Sequence, residues 1–190
     1  DLKELSPGSK HEEPTVLYLG RLKAYKSVHV LIHAFKQILE KIPKARLVIA
    51  GSGEEQKRLE GLATELNVSS RVEFTGKVTE EEKVRLFREA WVFVNPSYME
   101  GWGITTIEAN ACGTPVVAAD VPGLRDSVNN PHTGHLVEHG NSVAFAETIA
   151  SLLQNQGLRT SMGIQSIEWA KNFDWEESAS QMLKLLDKRP

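Results

Sequence analysis

The sequence of 190 residues has one cysteine, no long apolar run and no excess of basic residues. The single Cys112 cannot form an internal disulfide, which is compatible with a reducing compartment. No apolar run approaches the roughly 20 residues of a membrane-spanning helix, and no signal peptide is visible. The formal charge of −3 gives no general attraction to nucleic acids or acidic membranes. We therefore expect a cytoplasmic chain that binds no nucleic acid and forms one globular domain or a tight pair.

Three common site motifs are also missing. The residues Gly20 to Tyr25 do not form the G-x-G-x-x-G fingerprint of nicotinamide and flavin dinucleotides, and Gly51-Ser52-Gly53 lacks the third glycine. The phosphate-binding loop G-x-x-x-x-G-K-S/T is absent from the sequence. The six histidines and one cysteine have no metal-ligand spacing. We therefore expect neither a dinucleotide cofactor nor a metal ion.

Short apolar runs alternate with amphipathic stretches along most of the chain. The apolar runs predict strands over 15–19, 46–50, 72–74, 91–94, 115–118 and 135–137. Helical spacing predicts a helix after Gly103 and others over 28–42, 54–66, 79–90, 123–128, 141–153, 158–171 and 174–187. This alternation, without hairpin signals, predicts an α/β fold: a Rossmann-like, doubly wound parallel sheet of about six strands with helices on both faces. Residues 1–13 are polar and are predicted to be a linker or tail, which leaves 14–190 as the domain.

A glycine-rich turn, from Ser97 to Gly103, follows the fourth predicted strand and precedes a helix. Ligands of open parallel sheets bind beyond the carboxyl ends of the strands. The first amides of a helix lack intrahelical partners and carry the positive end of its dipole, so a diphosphate fits there. Glu100 and Glu108 bracket this position. Because carboxylates repel phosphate, we expect their partners to be hydroxyl groups of a sugar or ribose.

Several other residues have two interpretations. Arg21 and Lys26 follow the first predicted strand and can hold a diphosphate, although two solvated surface cations are an equally good interpretation of their position. Glu108 can also be a partner of the helix dipole alone. Trp102 either stacks on a ligand or fixes the turn against the core. Cys112 is expected to be a buried apolar residue, since no base is near it in the sequence.

In their order and spacing these residues resemble the retaining glycosyltransferases of the GT-B fold, of the glycosyltransferase family 4 type. The resemblance covers nearly all of residues 14–187. It rests on the E-x7-E spacing of Glu100 and Glu108 and on the segments Gly20-Arg21 with Lys26, Val48 to Gly53, Val72 to Val78, Pro96 to Ile104 and Gly113 to Ala118. Each segment alone is a weak signal, whereas their order together is specific.

The resemblance implies a C-terminal domain, one half of a GT-B fold, that binds the nucleotide-sugar donor. It implies that Arg21, Lys26 and Glu100 are catalytic: the two cations hold the diphosphate and Glu100 contacts the transferred sugar. Glu108 would accept hydrogen bonds from the ribose, and the backbone at Val78 would meet the base. The other donor-binding residues that it implies are Gly20, Gly51, Gly101, Gly103, Ile104, Thr105 and Thr106.

The resemblance further implies transfer of a sugar from a UDP-, GDP- or ADP-sugar to an acceptor, without a metal. A complete enzyme of this type also has an N-terminal acceptor domain, for which 190 residues leave no room. We therefore expect an excised donor domain, starting at Asp1, that binds donor without turnover. Membrane contact is expected only through the absent half, as in a peripheral protein. Two alternatives stay open: a nucleotide-sugar epimerase domain and a non-catalytic nucleotide-sugar-binding domain.

The last predicted helix carries an apolar stripe that includes Trp175. The resemblance places this helix across the N-terminal domain of the complete enzyme. In this chain the stripe is therefore expected either to be partly exposed or to fold onto the domain itself.

Overall fold

A computed structural model describes residues 5–173 and 175–186. The strands are β1 (Thr15–Leu19), β2 (Arg46–Ala50), β3 (Val72–Gly76), β4 (Val92–Asn95), β5 (Val116–Ala119) and β6 (Gly134–Val137). The helices are α1 (Val28–Lys41), α2 (Gln56–Glu65), α3 (Glu80–Glu89), α4 (Ile104–Ala111), α5 (Pro122–Ser127), α6 (Ser142–Gln154), α7 (Gln156–Ala170) and α8 (Trp175–Leu186). Short 3-10 turns lie at Ala24–Lys26, Ser69–Arg71 and Lys171–Phe173.

The six strands form one parallel sheet in the order β3-β2-β1-β4-β5-β6. On one side α1 packs against α2 and α6, and on the other α4 packs against α3, α5 and α7. The predicted doubly wound α/β fold is therefore confirmed. The strand order reverses between β1 and β4, where Leu17 pairs with Val48 on one side and with Phe93 on the other.

The core lies between the sheet and its helices. Strands of a parallel sheet are covered on both faces, and β4 accordingly has no exposed residue. Phe87 of α3 meets Phe93 of β4 edge to face, with ring centroids 5.4 Å apart. Phe35 of α1 and Phe145 of α6 are fully buried on the opposite side. The apolar runs of β1, β2, β4 and β5 therefore correspond to buried strands, whereas the edge strand β3 is only half-buried.

Several predicted helix ends are marked by side-chain caps. Thr79 and Glu82 form the predicted capping box of α3, and the Asn141 side chain accepts from the amide of Ala144 at the start of α6. α7 begins at Gln156, earlier than predicted, because Asn155 caps it by accepting from Leu158. The Trp175 side chain lies outside the described residues. Met182 and Leu186 of the same stripe are 59% and 43% exposed, so the expectation that the stripe is partly exposed is confirmed for these two residues.

The first described residues are docked on the domain. The side chain of Arg88 donates to the Ser6 carbonyl oxygen over 2.8 Å, and Trp91 Nε1 donates to the His11 carbonyl oxygen over 2.8 Å. The His11 amide donates to the Glu89 carbonyl oxygen over 2.9 Å. This segment lies at the foot of the sheet, which we define as the edge where the parallel strands begin. Its role as a linker stays a prediction.

The loops after β1 and β2 pack backbone against backbone. Gly51 has a φ of +132°, and a Cβ atom there would overlap the carbonyl oxygen of Gly20. The Leu22 amide donates to the Ser52 carbonyl oxygen over 3.0 Å. Only a residue without a side chain fits both the conformation and the space at Gly51.

We expect Gly51→Ala to lower the free energy of unfolding by at least about 2 kcal/mol, because it combines a disfavoured φ with a backbone clash. Gly61→Ala is the matched control. Gly61 lies within α2 and nothing would contact an added Cβ there, so alanine should stabilise by about 0.5–1 kcal/mol. Urea denaturation followed by circular dichroism measures both. Equal stability of the two variants would contradict the tight loop packing.

Candidate functional site

The loops after β1 and β4 meet at the carboxyl edge of the sheet, where the strand order reverses. Such a switch point is the usual ligand site of open parallel sheets. The amide of Tyr98 donates to the carbonyl oxygen of Tyr25 over 2.8 Å and joins the two loops. The loop after β2 contacts the loop after β1, since the Leu22 amide donates to the Ser52 carbonyl oxygen over 3.0 Å, and it contacts the end of β3 through the Gly51 amide, which donates to the Gly76 carbonyl oxygen over 2.7 Å. The four loops that carry the predicted site residues therefore meet at one edge.

An ion pair connects the predicted catalytic residues Lys26 and Glu100. Lys26 Nζ lies 2.6 Å from Glu100 Oε1, and the two side chains are 12% and 15% exposed. Asn95 Nδ2 donates to the same Oε1 over 3.2 Å. Two donors therefore hold one oxygen of Glu100, whereas none of the described residues hydrogen-bonds Oε2.

Asn95 was not predicted as a site residue. It is the last residue of β4 and is buried. Its Oδ1 accepts from the amide of Ser97 and from Ser97 Oγ, the latter over 2.6 Å. A buried amide with both ends engaged is rigid, so Asn95 fixes the position of Glu100. The available signal was a polar residue at the end of an apolar strand.

Arg21 lies at the surface of the β1 loop. Its Nη2 donates to the hydroxyl group of Tyr25 over 2.9 Å, and its carbonyl oxygen accepts from the Tyr18 hydroxyl group over 2.9 Å. Burial raises the pKa of the Tyr18 phenol, so this group remains a donor. The backbone at Arg21 is thus fixed by a buried tyrosine, whereas the guanidinium group faces the solvent side of the site.

α4 begins at the predicted anion position. Gly103 precedes it with a φ of +76°, and a Cβ atom there would approach Leu124 within 2.6 Å. The amide and hydroxyl groups of Thr106 donate to the Gly103 carbonyl oxygen over 2.8 and 2.6 Å. The Thr106 amide is thus engaged within the protein. The amides of Ile104 and Thr105 occupy the first two helical positions, where intrahelical acceptors are lacking.

Glu108 is paired with a lysine that was not predicted. Lys83 Nζ of α3 lies 2.7 Å from Glu108 Oε1 and 2.6 Å from Glu80 Oε2. Burial acts to lower the pKa of Lys83, but its hydrogen bonds to Glu108 and Glu80 outweigh burial and raise that pKa. Lys83 therefore stays charged and holds the Glu108 carboxylate in place. The pair depends on the packing of α3 against α4, for which the sequence has no local signal.

The remaining predicted residues surround these groups. Gly20 and Gly51 are packed against each other, and Val78 is half-buried against the core. Gly101 is exposed, with its carbonyl oxygen and that of Glu100 close to Gly123 at the start of α5. The glycines thus allow close contact between the loops that form the site.

Two residues with open interpretations have clear positions. The Trp102 ring meets the Phe173 ring edge to face at 4.9 Å, which supports a role in fixing the turn. Cys112 is buried, as predicted, and burial raises the pKa of its thiol to about 11. A thiol with that pKa is a poor nucleophile near neutral pH.

His139, in the loop after β6, also contacts the site loops. Its Nε2 lies 3.0 Å from Ser27 Oγ, and its ring lies 5.2 Å from the Tyr98 ring. Ser27 has a φ of 52° at the start of α1, directly after Lys26. His139 therefore connects the loop after β6 to the loops after β1 and β4. A lone histidine in a loop carries no pattern from which the sequence could have predicted this contact.

Within the described part of the chain, no cluster of three or more His, Cys, Asp or Glu side chains could hold a metal ion. Among the described helices, none is long and apolar enough to cross a membrane.

The chain is similar in sequence and in structure to known proteins. A family model described as "Glycosyl transferases group 1" matches residues 3–169. The D-inositol 3-phosphate glycosyltransferase of Corynebacterium efficiens is 38% identical over 176 residues, which cover 90% of this chain and 42% of that protein. Sucrose-phosphate synthase from Thermosynechococcus elongatus has a similar structure, with a TM-score of 0.90 and 34% identity over 99% of this chain and 50% of that chain.

The Anabaena protein Alr3699/HepE, solved in complex with UDP, is also similar in structure. Its TM-score is 0.86, with 26% identity over 93% of this chain and 49% of that chain. The chain spans about two fifths of the length of the inositol-phosphate glycosyltransferases that it matches.

We expect the Lys26–Glu100 pair to stabilise the protein measurably. In a double-mutant cycle of Lys26→Met and Glu100→Gln, the coupling free energy should be about 1.5–3 kcal/mol, because the two groups are largely shielded from water. The control cycle, Lys23→Met with Glu54→Gln, removes a pair at 2.8 Å whose side chains are 40% and 62% exposed. It should give less than about 1 kcal/mol. Equal coupling free energies in the two cycles, measured by urea denaturation, would contradict the expectation that shielding strengthens the Lys26–Glu100 pair.

Proposed function

Because the chain belongs to the group 1 glycosyl transferases, we propose that its switch-point site binds a nucleoside-diphosphate sugar. In this proposal the chain is the C-terminal, donor-binding half of a retaining GT-B enzyme of the glycosyltransferase family 4 type. The complete enzyme transfers the sugar to an acceptor held by a separate N-terminal domain. The chain by itself binds donor without turnover.

The observation that carries this proposal is the convergence of cations and a helix start at the switch point. Arg21 and Lys26 lie in one loop, and the first residues of α4 follow the neighbouring loop. A helix N-terminus with nearby cations suits a diphosphate, because amide dipoles and positive charges act in the same direction. These groups would neutralise the diphosphate without a metal.

Glu100 would contact the transferred sugar. Lys26 and Asn95 hold one carboxylate oxygen, which leaves the other to accept a hydrogen bond from a sugar hydroxyl group. Asn95 acts through Glu100 and is a positioning residue. In this arrangement the same ion pair places Lys26 next to the bond between sugar and diphosphate. One contact therefore orients Glu100 toward the sugar and Lys26 toward the diphosphate.

The reaction requires the bond between the anomeric carbon and the phosphate oxygen to break. Negative charge then grows on the diphosphate while the sugar becomes oxocarbenium-like. Arg21, Lys26 and the amides of Ile104 and Thr105 would stabilise this charge more strongly as it develops. The acceptor oxygen forms the new bond to the anomeric carbon, and its proton passes to the nucleoside diphosphate that leaves.

Glu108 would accept hydrogen bonds from the ribose hydroxyl groups, and the backbone at Val78 would meet the base. Lys83 of α3 donates to one oxygen of Glu108 over 2.7 Å. Because the Lys83 ammonium group is fixed, the Glu108 carboxylate is already oriented before the ligand binds. This orientation reduces the entropy cost of binding.

We expect Arg21→Ala to weaken binding of the best of UDP, GDP and ADP at least tenfold, because a charge-assisted contact to the diphosphate is lost. Lys23→Ala is the control, since this lysine lies in the same loop but pairs with Glu54. Isothermal titration calorimetry without added metal measures both. Unchanged affinity of the Arg21 variant would refute its phosphate role.

Glu108 should determine whether the ribose hydroxyl groups contribute to binding. The unaltered chain should prefer the best nucleoside diphosphate over its 2′- or 3′-deoxy form by about tenfold, the worth of one hydrogen bond to a charged group. Glu108→Ala should remove this preference, whereas Glu80→Ala, which removes the other partner of Lys83, should retain it. Isothermal titration calorimetry with both nucleotide forms measures this preference in each variant. If the Glu108 variant keeps the preference, Glu108 does not bind the ribose hydroxyl groups.

A further inference from the structure

A pocket lies at the foot of the sheet, at the edge opposite the proposed donor site. Its volume is about 430 Å³, within the range of small-molecule sites in proteins. The first described residues form one wall, through Pro7 and Lys10, and α7 forms the other, through Arg159, Ile164 and Ile167. Most of the lining is apolar. Ile164 is 62% exposed and adds accessible apolar surface to this wall of the pocket.

Two cations face this pocket without an acidic partner. Lys10 Nζ donates to Thr114 Oγ1 over 2.6 Å, and Arg159 donates to the carbonyl oxygens of Leu152 and Leu153 over 2.6 and 2.7 Å. The Arg159 guanidinium carbon also lies 4.1 Å from the centroid of the Trp91 ring. Neither cation forms an ion pair with any of the described residues.

Burial disfavours the charged forms of both Lys10 and Arg159. Although Lys10 as a residue is exposed, its ammonium group reaches the fully buried Thr114 hydroxyl group. Burial lowers the pKa of Lys10 to about 8; Cys112 acts against this shift, and the charge of Arg159 adds to it only weakly. Burial also lowers the pKa of Arg159. An anion in the pocket would relieve this unfavourable electrostatic state, since an opposite charge favours the charged form of both groups.

We propose that this foot pocket binds an anionic amphiphile, a carboxylate or phosphate group carried on an apolar body. The anionic group lies between Lys10 and Arg159, and the apolar part covers Ile164 and Ile167. The buried apolar area and the charge pairing then both contribute to the free energy of binding, whereas either contribution alone gives weak binding. The site is independent of nucleotide binding because it lies at the other edge of the sheet.

Binding of three simple probes separates the two contributions. Octanoate carries both features, acetate only the charge and 1-octanol only the apolar chain. Calorimetry or ¹⁵N NMR titration of the whole chain should show octanoate binding at least tenfold more tightly than either of the others. No octanoate binding, or equal binding of octanol, would overturn the proposal.

Substitutions locate the site. Lys10→Gln should weaken octanoate binding about tenfold, and Ile164→Glu should abolish it by adding a negative charge to the pocket wall. Ile164 is exposed, so this variant should fold normally. Lys36→Gln and Val143→Glu are matched controls at an exposed lysine of α1 and an exposed valine of α6 outside the pocket lining. Loss of binding in the controls, or its retention in Ile164→Glu, would contradict the assignment.

Discussion

The ion pair between Lys26 and Glu100 joins the two loops on which the site depends. It spans the point where the strand order reverses and connects the end of β1 with the end of β4. A pair that is largely shielded from water stabilises only if both partners are well positioned, because each charge loses hydration. Asn95 supplies that positioning from inside the sheet. The pair therefore fixes the loops after β1 and β4 relative to each other, in a position set by the sheet.

The rest of the carboxyl edge is organised around this contact. Glycines allow the β1 and β2 loops to touch through their backbones, and α5 lies against the Glu100–Gly101 backbone through Gly123. Lys83 fixes Glu108 in the same manner as Lys26 fixes Glu100. Two carboxylates held by two lysines thus flank the start of α4. The fold provides the helix start and the ion pairs provide the orientation, which together suit a nucleotide sugar.

The sequence predicted the sheet, its parallel direction and most element boundaries, because buried strands and amphipathic helices leave periodic patterns and caps such as Thr79 with Glu82 are local. It did not predict Lys83 or His139, whose partners Glu108 and Ser27 are distant in the chain and depend on how helices and loops pack. The foot pocket was missed for the same reason. Lys10 was placed in a predicted tail, and Arg159 in a helix with no site motif. Asn95 was also missed, although its partners Ser97 and Glu100 are near it in the sequence, because the sequence does not show which way a side chain at the end of a strand points.

In the proposed complex, the start of α4 together with Arg21 and Lys26 holds the diphosphate of the donor. The most direct measurement is a ¹⁵N NMR titration of this chain with UDP, GDP and ADP. We expect one nucleotide to give its largest shifts at the amides of Ile104 and Thr105 and in the loop from Gly20 to Lys26. Largest shifts at the foot of the sheet, or no shifts with any of the three nucleotides, would contradict it.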